Sequence, residues 1–93
     1  MEFEYDPDKS TANFAKHGID FECAKAIWND DNSVAVYARD GDDGEARLLV
    51  IGQIGGKFWS AVTTWRGVAV RIISVRRSRE DERLLYVETN NQR

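Results

Sequence analysis

Apolar and polar positions alternate with period two through the middle of this chain and recur at helical spacing towards both ends. The densest stretch runs from Lys57 to Ser78. Phe58–Trp65 and Val68–Val75 are rich in Val, Ile, Thr and Trp, and only Arg66-Gly67 separates them. Such residues fit a pleated, half-buried surface, and X-Gly is a common two-residue hairpin turn, so the spacing predicts a central β-hairpin. Arg47–Ile54 alternates in the same way and meets this hairpin at Gly55-Gly56, a second two-residue turn. Val34–Tyr37 is a further strand, Arg39–Ala46 a loop, and Phe3–Tyr5 a short edge strand.

Helical periods flank these strands. Asp6-Pro7 places a carboxylate at an N-cap and a proline at the first helical position, where its missing N–H loses no bond. That helix should run to about His17 and stop at Gly18, which can take the left-handed conformation. Asp20 is a second N-cap, with Glu22 in the first turn. Phe21, Ala24, Ile27 and Trp28 form the buried stripe of a helix ending near Asn29. Ser78-Arg79-Glu80-Asp81 has the form of a capping box, followed by Leu84, Leu85 and Val87 on one side of a terminal helix. Thr89–Arg93 lacks periodicity and should fray. The order β-α-α-β-β-β-β-α, with short turns between four consecutive strands, predicts an α+β domain spanning residues 1–93. It has an antiparallel meander, with helices mainly on one face and the other face partly open.

Charge changes this picture. Residues 1–56 carry five basic and twelve acidic groups, net −7, whereas residues 57–93 carry eight and four, net +4. An asymmetry of this kind fits a polyanion-facing surface on an otherwise acidic protein, and equally an uneven scatter of solvated charge. No apolar run nears the roughly 20 residues that span a bilayer, and the acidic start lacks a signal-peptide pattern, so a cytoplasmic protein without membrane contact is expected. Cys23, the sole cysteine, is expected to be a half-buried structural thiol. The D-G-D-D-G run at residues 40–44 has the wrong spacing for a calcium loop, so no metal or cofactor is expected.

The last central strand carries Arg71, Ser74, Arg76 and Arg77. Burying such groups is costly unless they meet water, a partner or a ligand. Strict alternation places Arg71 with Ile73 and Val75, and Arg76 with Ser74 and Ile72, on opposite faces. A bulge is required to bring both to one site.

Several of these residues carry a resemblance. Lys9, Asn13 and the Lys16-His17-Gly18-Ile19 block, then Phe21 and Ala24, resemble the start of the BrnT toxins. Arg47, Ile51-Gly52, Thr64-x-Arg66, Arg71-Ile72-Ile73-Ser74-x-Arg76, Glu82-Arg83 and Tyr86 continue it over nearly the whole chain. The chain departs from that pattern in its acidic balance, in Val75 where a small alanine is expected, and in Ala46 between Glu45 and Arg47. The resemblance implies a RelE-like fold and a type II toxin that cleaves mRNA without metal and blocks translation. It also implies a BrnA-like antitoxin partner in a hetero-oligomer, through which alone the toxin reaches DNA. A binding-only module that serves the antitoxin as a silent co-repressor is the rival reading.

Metal-free RNA cleavage needs a base for the 2′-OH, cations for the charged phosphorane, and an acid for the leaving oxygen. Arg71 and Arg76 are the first candidates for phosphate, because a guanidinium binds phosphate oxygens bidentately. Arg71 has a structural alternative, pairing with an acid. Arg66, Arg47, Ser74 and Thr64 are candidate RNA contacts. His17 is the candidate base, and its alternative role is to cap free helix carbonyls. Trp59 and Trp65 fit base stacking, core packing or a partner interface.

Overall fold

The computed structural model describes residues 1–92. Five strands form one mixed sheet in the order β1-β5-β4-β3-β2. They are β1 (Glu2–Glu4), β2 (Val34–Asp40), β3 (Ala46–Ile54), β4 (Lys57–Arg66) and β5 (Ala69–Arg77). The four consecutive strands pair antiparallel, as the short turns require, while β1 adds parallel to β5. Helices α1 (Pro7–His17), α2 (Phe21–Ala24) and α3 (Glu80–Asn91) complete the fold, and α2 continues as a 3₁₀ turn over Lys25–Asn29.

Helix starts follow the capping chemistry. Asp6 accepts the Asp8 N–H and Asp20 the Cys23 N–H, and Gly18 closes α1 at φ 78°. The N-cap of α3 is Arg79, one residue later than the sequence suggests, and its N–H donates to the Glu82 carboxylate at 2.8 Å. Ser78, freed from capping, instead bonds the Ser60 hydroxyl at 2.7 Å. The helix also runs on to Asn91 where fraying was expected, because Asn90 donates to the carbonyls of Asn32 and Tyr86. Arg93, the end of that stretch, lies outside the described residues.

Two apolar clusters sandwich the sheet. On its first face Ile19, Phe21, Ala24 and Ile27 pack on Val50, Ala61, Ile72 and Val75. Asn13 ties α1 to this layer, donating to the carbonyls of Ile19 and Val75 and accepting the Val75 N–H. On the second face Tyr86 and Leu85 of α3 cover Val34, Ile51 and Phe58. The helices are therefore divided between the faces, α1 and α2 on one and α3 on the other. Because α3 shields only one end of the second face, the other end stays open.

Three local features set that open end. Residues 67–68 make the β4–β5 turn, with Gly67 at φ 61°, so Arg66 belongs to the strand and pairs with Ala69. In β5, Ser74 pairs with Val62 but Ile72 with Thr63, leaving Ile73 as the extra residue of a bulge. In β2, which extends to Asp40 rather than stopping at Tyr37, a similar shift falls between Tyr37 and Arg39.

Candidate functional site

The β5 bulge reverses the expected separation of Arg71 and Arg76. Arg71 lies opposite Thr64 and Arg76 opposite Ser60, and Thr64 and Ser60 are an even number of residues apart on β4. Both arginines therefore stand on the second face, with Ser74 between them opposite Val62. Thr64, Arg66 and Arg47 belong to the same face by alternation along β4 and β3. His17 does not join them, since α1 packs against the first face.

Sharing a face does not make Arg71 and Arg76 one site. Ser60 and Thr64 are four residues apart, so the two arginines are separated by about 13 Å along the strands. Arg76 lies at the end covered by α3 and gives both Nη atoms to Glu82, at 2.7 and 2.8 Å. Glu82 also accepts from the Ser60 hydroxyl and from the Arg79 N–H. Its side chain is only 9% exposed. The Arg76 guanidinium, with the two further donors, outweighs burial and holds the Glu82 carboxyl at about 2, well below its usual 4.5. Glu82 was not singled out as a site residue by the sequence, because the capping box there points to Asp81.

Beside it, Tyr86 donates to Asp30 at 2.8 Å, and the Gln53 and Asn32 N–H groups converge on the same carboxylate. Burial of Tyr86, reinforced by that bond to Asp30, raises the phenol pKa above its ordinary value. Tyr86 thus ties α3 to the sheet.

The open end differs in geometry. Arg71 Nη1 is 3.8 Å from Glu4, outside hydrogen-bond distance, and its side chain is 28% exposed. Arg66 meets Glu45 at 3.1 Å and is 46% exposed. Thr64 pairs with Arg71 and Arg66 with Ala69, so Arg66 and Arg71 are diagonal neighbours. Such positions lie about 7–8 Å apart at the backbone. Two flexible guanidinium groups at that spacing can converge on one phosphodiester. Thr64 contributes no free hydroxyl proton, because it donates to the Ala46 carbonyl at 2.8 Å.

Arg47 is bonded within its own hairpin. Its guanidinium bonds Asp43 at 3.2 Å and lies over Gly41, where an added Cβ would stand 2.5 Å from Cζ. Arg47 thus packs on Gly41 and braces the β2–β3 hairpin, and a side chain at Gly41 would have to push the guanidinium aside. Arg39 sits directly opposite Arg47. Like charges in such a pair are unfavourable without counter-charge.

Trp59 carries Arg77 over its ring at 5.4 Å, and Trp65 is half exposed; both belong to the first face. Cys23, expected to be half-buried, is exposed in α2, and the neighbouring Asp20 carboxylate raises the thiol pKa.

The family model for BrnT, the ribonuclease toxin of type II toxin–antitoxin systems, matches residues 5–82. The chain belongs to the BrnT family. The match spans every strand after β1 and both arginine-bearing ends of the second face. BrnT membership makes the chain a ribonuclease toxin, with an antitoxin as partner and RNA as target. No curated protein matches the chain closely enough to count as a relative. Among the described residues of this BrnT chain, no helix is long and apolar enough to cross a membrane.

Proposed function

We propose that the protein is a metal-independent endoribonuclease with a RelE-like fold, which cleaves mRNA in the cytoplasm and so blocks translation. The observation that carries this reading is the diagonal placement of Arg66 and Arg71 on the uncovered end of the sheet. One scissile phosphate lies across the two guanidinium groups, which neutralise the charge that grows as the 2′-oxygen attacks. RNA displaces Glu4 from Arg71 at small cost, since that pair is long and partly solvated. Ser74, half-buried on the same face, contacts the adjoining backbone.

Arg76 supports this site rather than entering it, because releasing it would strand the buried Glu82 carboxylate. His17, across the sheet, takes no part in proton transfer. A BrnA-like antitoxin neutralises the toxin by presenting acidic side chains to Arg66 and Arg71, and the pair forms a hetero-oligomer that meets DNA only through the antitoxin.

The test is cleavage of a defined oligoribonucleotide with chelator present, mapped at nucleotide resolution. The expected products end in a 2′,3′-cyclic phosphate and a 5′-hydroxyl, and Arg71→Ala abolishes them. Intact RNA with the wild-type protein, and harmless expression of the toxin alone, would instead support a silent co-repressor.

A further inference from the structure

The proposed reaction still lacks a base, and we infer that Glu45 is the group that accepts the 2′-hydroxyl proton. This assignment rests on the ribonuclease reading above and extends it to a residue whose pairing with Arg47 the sequence leaves broken by Ala46.

The open end of the second face offers four carboxylates near its arginines, of which Glu2 is an exposed residue of the outermost strand opposite Ala69. Asp43 is already engaged: the Glu45 N–H and the Arg47 guanidinium hold its carboxyl at about 2, too weak a base for an alcohol. Glu4 stands on a three-residue edge strand and only approaches Arg71, at 3.8 Å. Glu45 differs in being fixed on both sides. Its N–H donates to Asp43 Oδ1 at 3.0 Å, and its carbonyl accepts the Gly41 N–H at 2.8 Å. Its carboxylate touches Arg66 Nη2 at 3.1 Å, placing it beside one member of the proposed phosphate pair. A base held next to the cation that binds the phosphate is positioned for the adjoining 2′-oxygen.

The charged groups around Glu45 come from each neighbouring element. Arg66 faces it from β4, Arg47 follows it on β3, Asp43 precedes it in the loop, and Arg39 and Asp40 pair alongside from β2. Arg47 is therefore a positioning residue. By bonding Asp43 and lying over Gly41, it holds the hairpin that presents Glu45.

The step balances. The proton of the 2′-hydroxyl passes to a Glu45 carboxylate oxygen, and the 2′-oxygen forms a bond to phosphorus. The bond from phosphorus to the 5′-oxygen breaks, and that oxygen takes a proton from water. Glu45 then returns its proton to solvent, leaving a 2′,3′-cyclic phosphate and a 5′-hydroxyl.

The test measures kcat and KM for an oligoribonucleotide across pH with wild type, Glu45→Gln, Glu45→Asp and Glu4→Gln. Glu45→Gln should lower kcat by about 100-fold or more, leave KM equal or smaller because Arg66 is freed, and flatten the acidic limb of the pH–rate profile. Glu45→Asp should restore part of the rate and the limb, whereas Glu4→Gln should keep the limb and lower KM, because Arg71 loses the ion pair that RNA must displace. A Glu45→Gln enzyme with wild-type kcat and an unchanged acidic limb overturns the assignment while leaving the ribonuclease reading intact. RNA left uncut by the wild type overturns both.

Discussion

At one end of the second sheet face Arg76 gives both Nη atoms to Glu82 at 2.7 and 2.8 Å; at the other, Arg71 stands 3.8 Å from its nearest acid. Both are arginines on one strand, on one face, five positions apart. Their difference lies in what surrounds the carboxylate. Glu82, in the first turn of α3, is buried against the sheet and accepts from four donors, so Arg76 cannot leave without exposing an uncompensated charge. Glu4 is solvated and holds Arg71 loosely, so a phosphate can replace it. Arginine residue type alone does not distinguish anchor from ligand grip; partner number and burial do.

The largest effects are expected at the open end. Arg66→Ala and Arg71→Ala should each lower cleavage by roughly 100- to 1000-fold, with melting temperatures near that of the wild type. The double variant should lose little more than the worse single one, since the two groups hold one phosphate as a unit. Additive losses measured in single-turnover assays would divide the pair into separate sites.

At the covered end, stability should respond. Glu82→Gln removes the charge that Arg76 needs and should cost about 3 kcal/mol in urea unfolding. The same pair sets a pH dependence. The folded Glu82 carboxyl is held at about 2 against an ordinary 4.5. Its contribution is therefore complete above about 4.5 and is lost as pH falls towards 2. Acid unfolding curves should show this slope in the wild type and a shallower one in Glu82→Gln.

Much of this was legible in the residues. Asp6-Pro7, Asp20, Gly18 and Gly55-Gly56 mark their boundaries because each acts locally. What escaped was decided by pairing partners. Arg66-Gly67 has the form of a hairpin turn, yet the turn falls one residue later, and that single step moves Arg66 from a solvated corner to the sheet face. The Ile73 bulge is likewise invisible in composition, because its register is fixed by Val62 and Thr63 across the ladder. Glu82 required knowing that Ser60, eighteen residues before Ser78, stands beneath α3.

The smallest effect is expected at the β2–β3 hairpin. Gly41→Ala should displace the Arg47 guanidinium, which is mobile enough to yield, and cost about 1 kcal/mol of stability. It should lower cleavage severalfold through misplacement of Glu45. Unchanged cleavage would separate hairpin geometry from the reaction.

The most direct measurement is the initial rate of RNA cleavage per folded molecule for Arg71→Ala and Arg76→Ala, with folded fraction read by circular dichroism on the same samples. Arg71→Ala should be nearly inactive and fully folded, whereas Arg76→Ala should be less stable but cleave at close to the wild-type rate once normalised. A fully folded Arg76→Ala protein that no longer cuts RNA, beside an Arg71→Ala protein that does, would contradict this expectation.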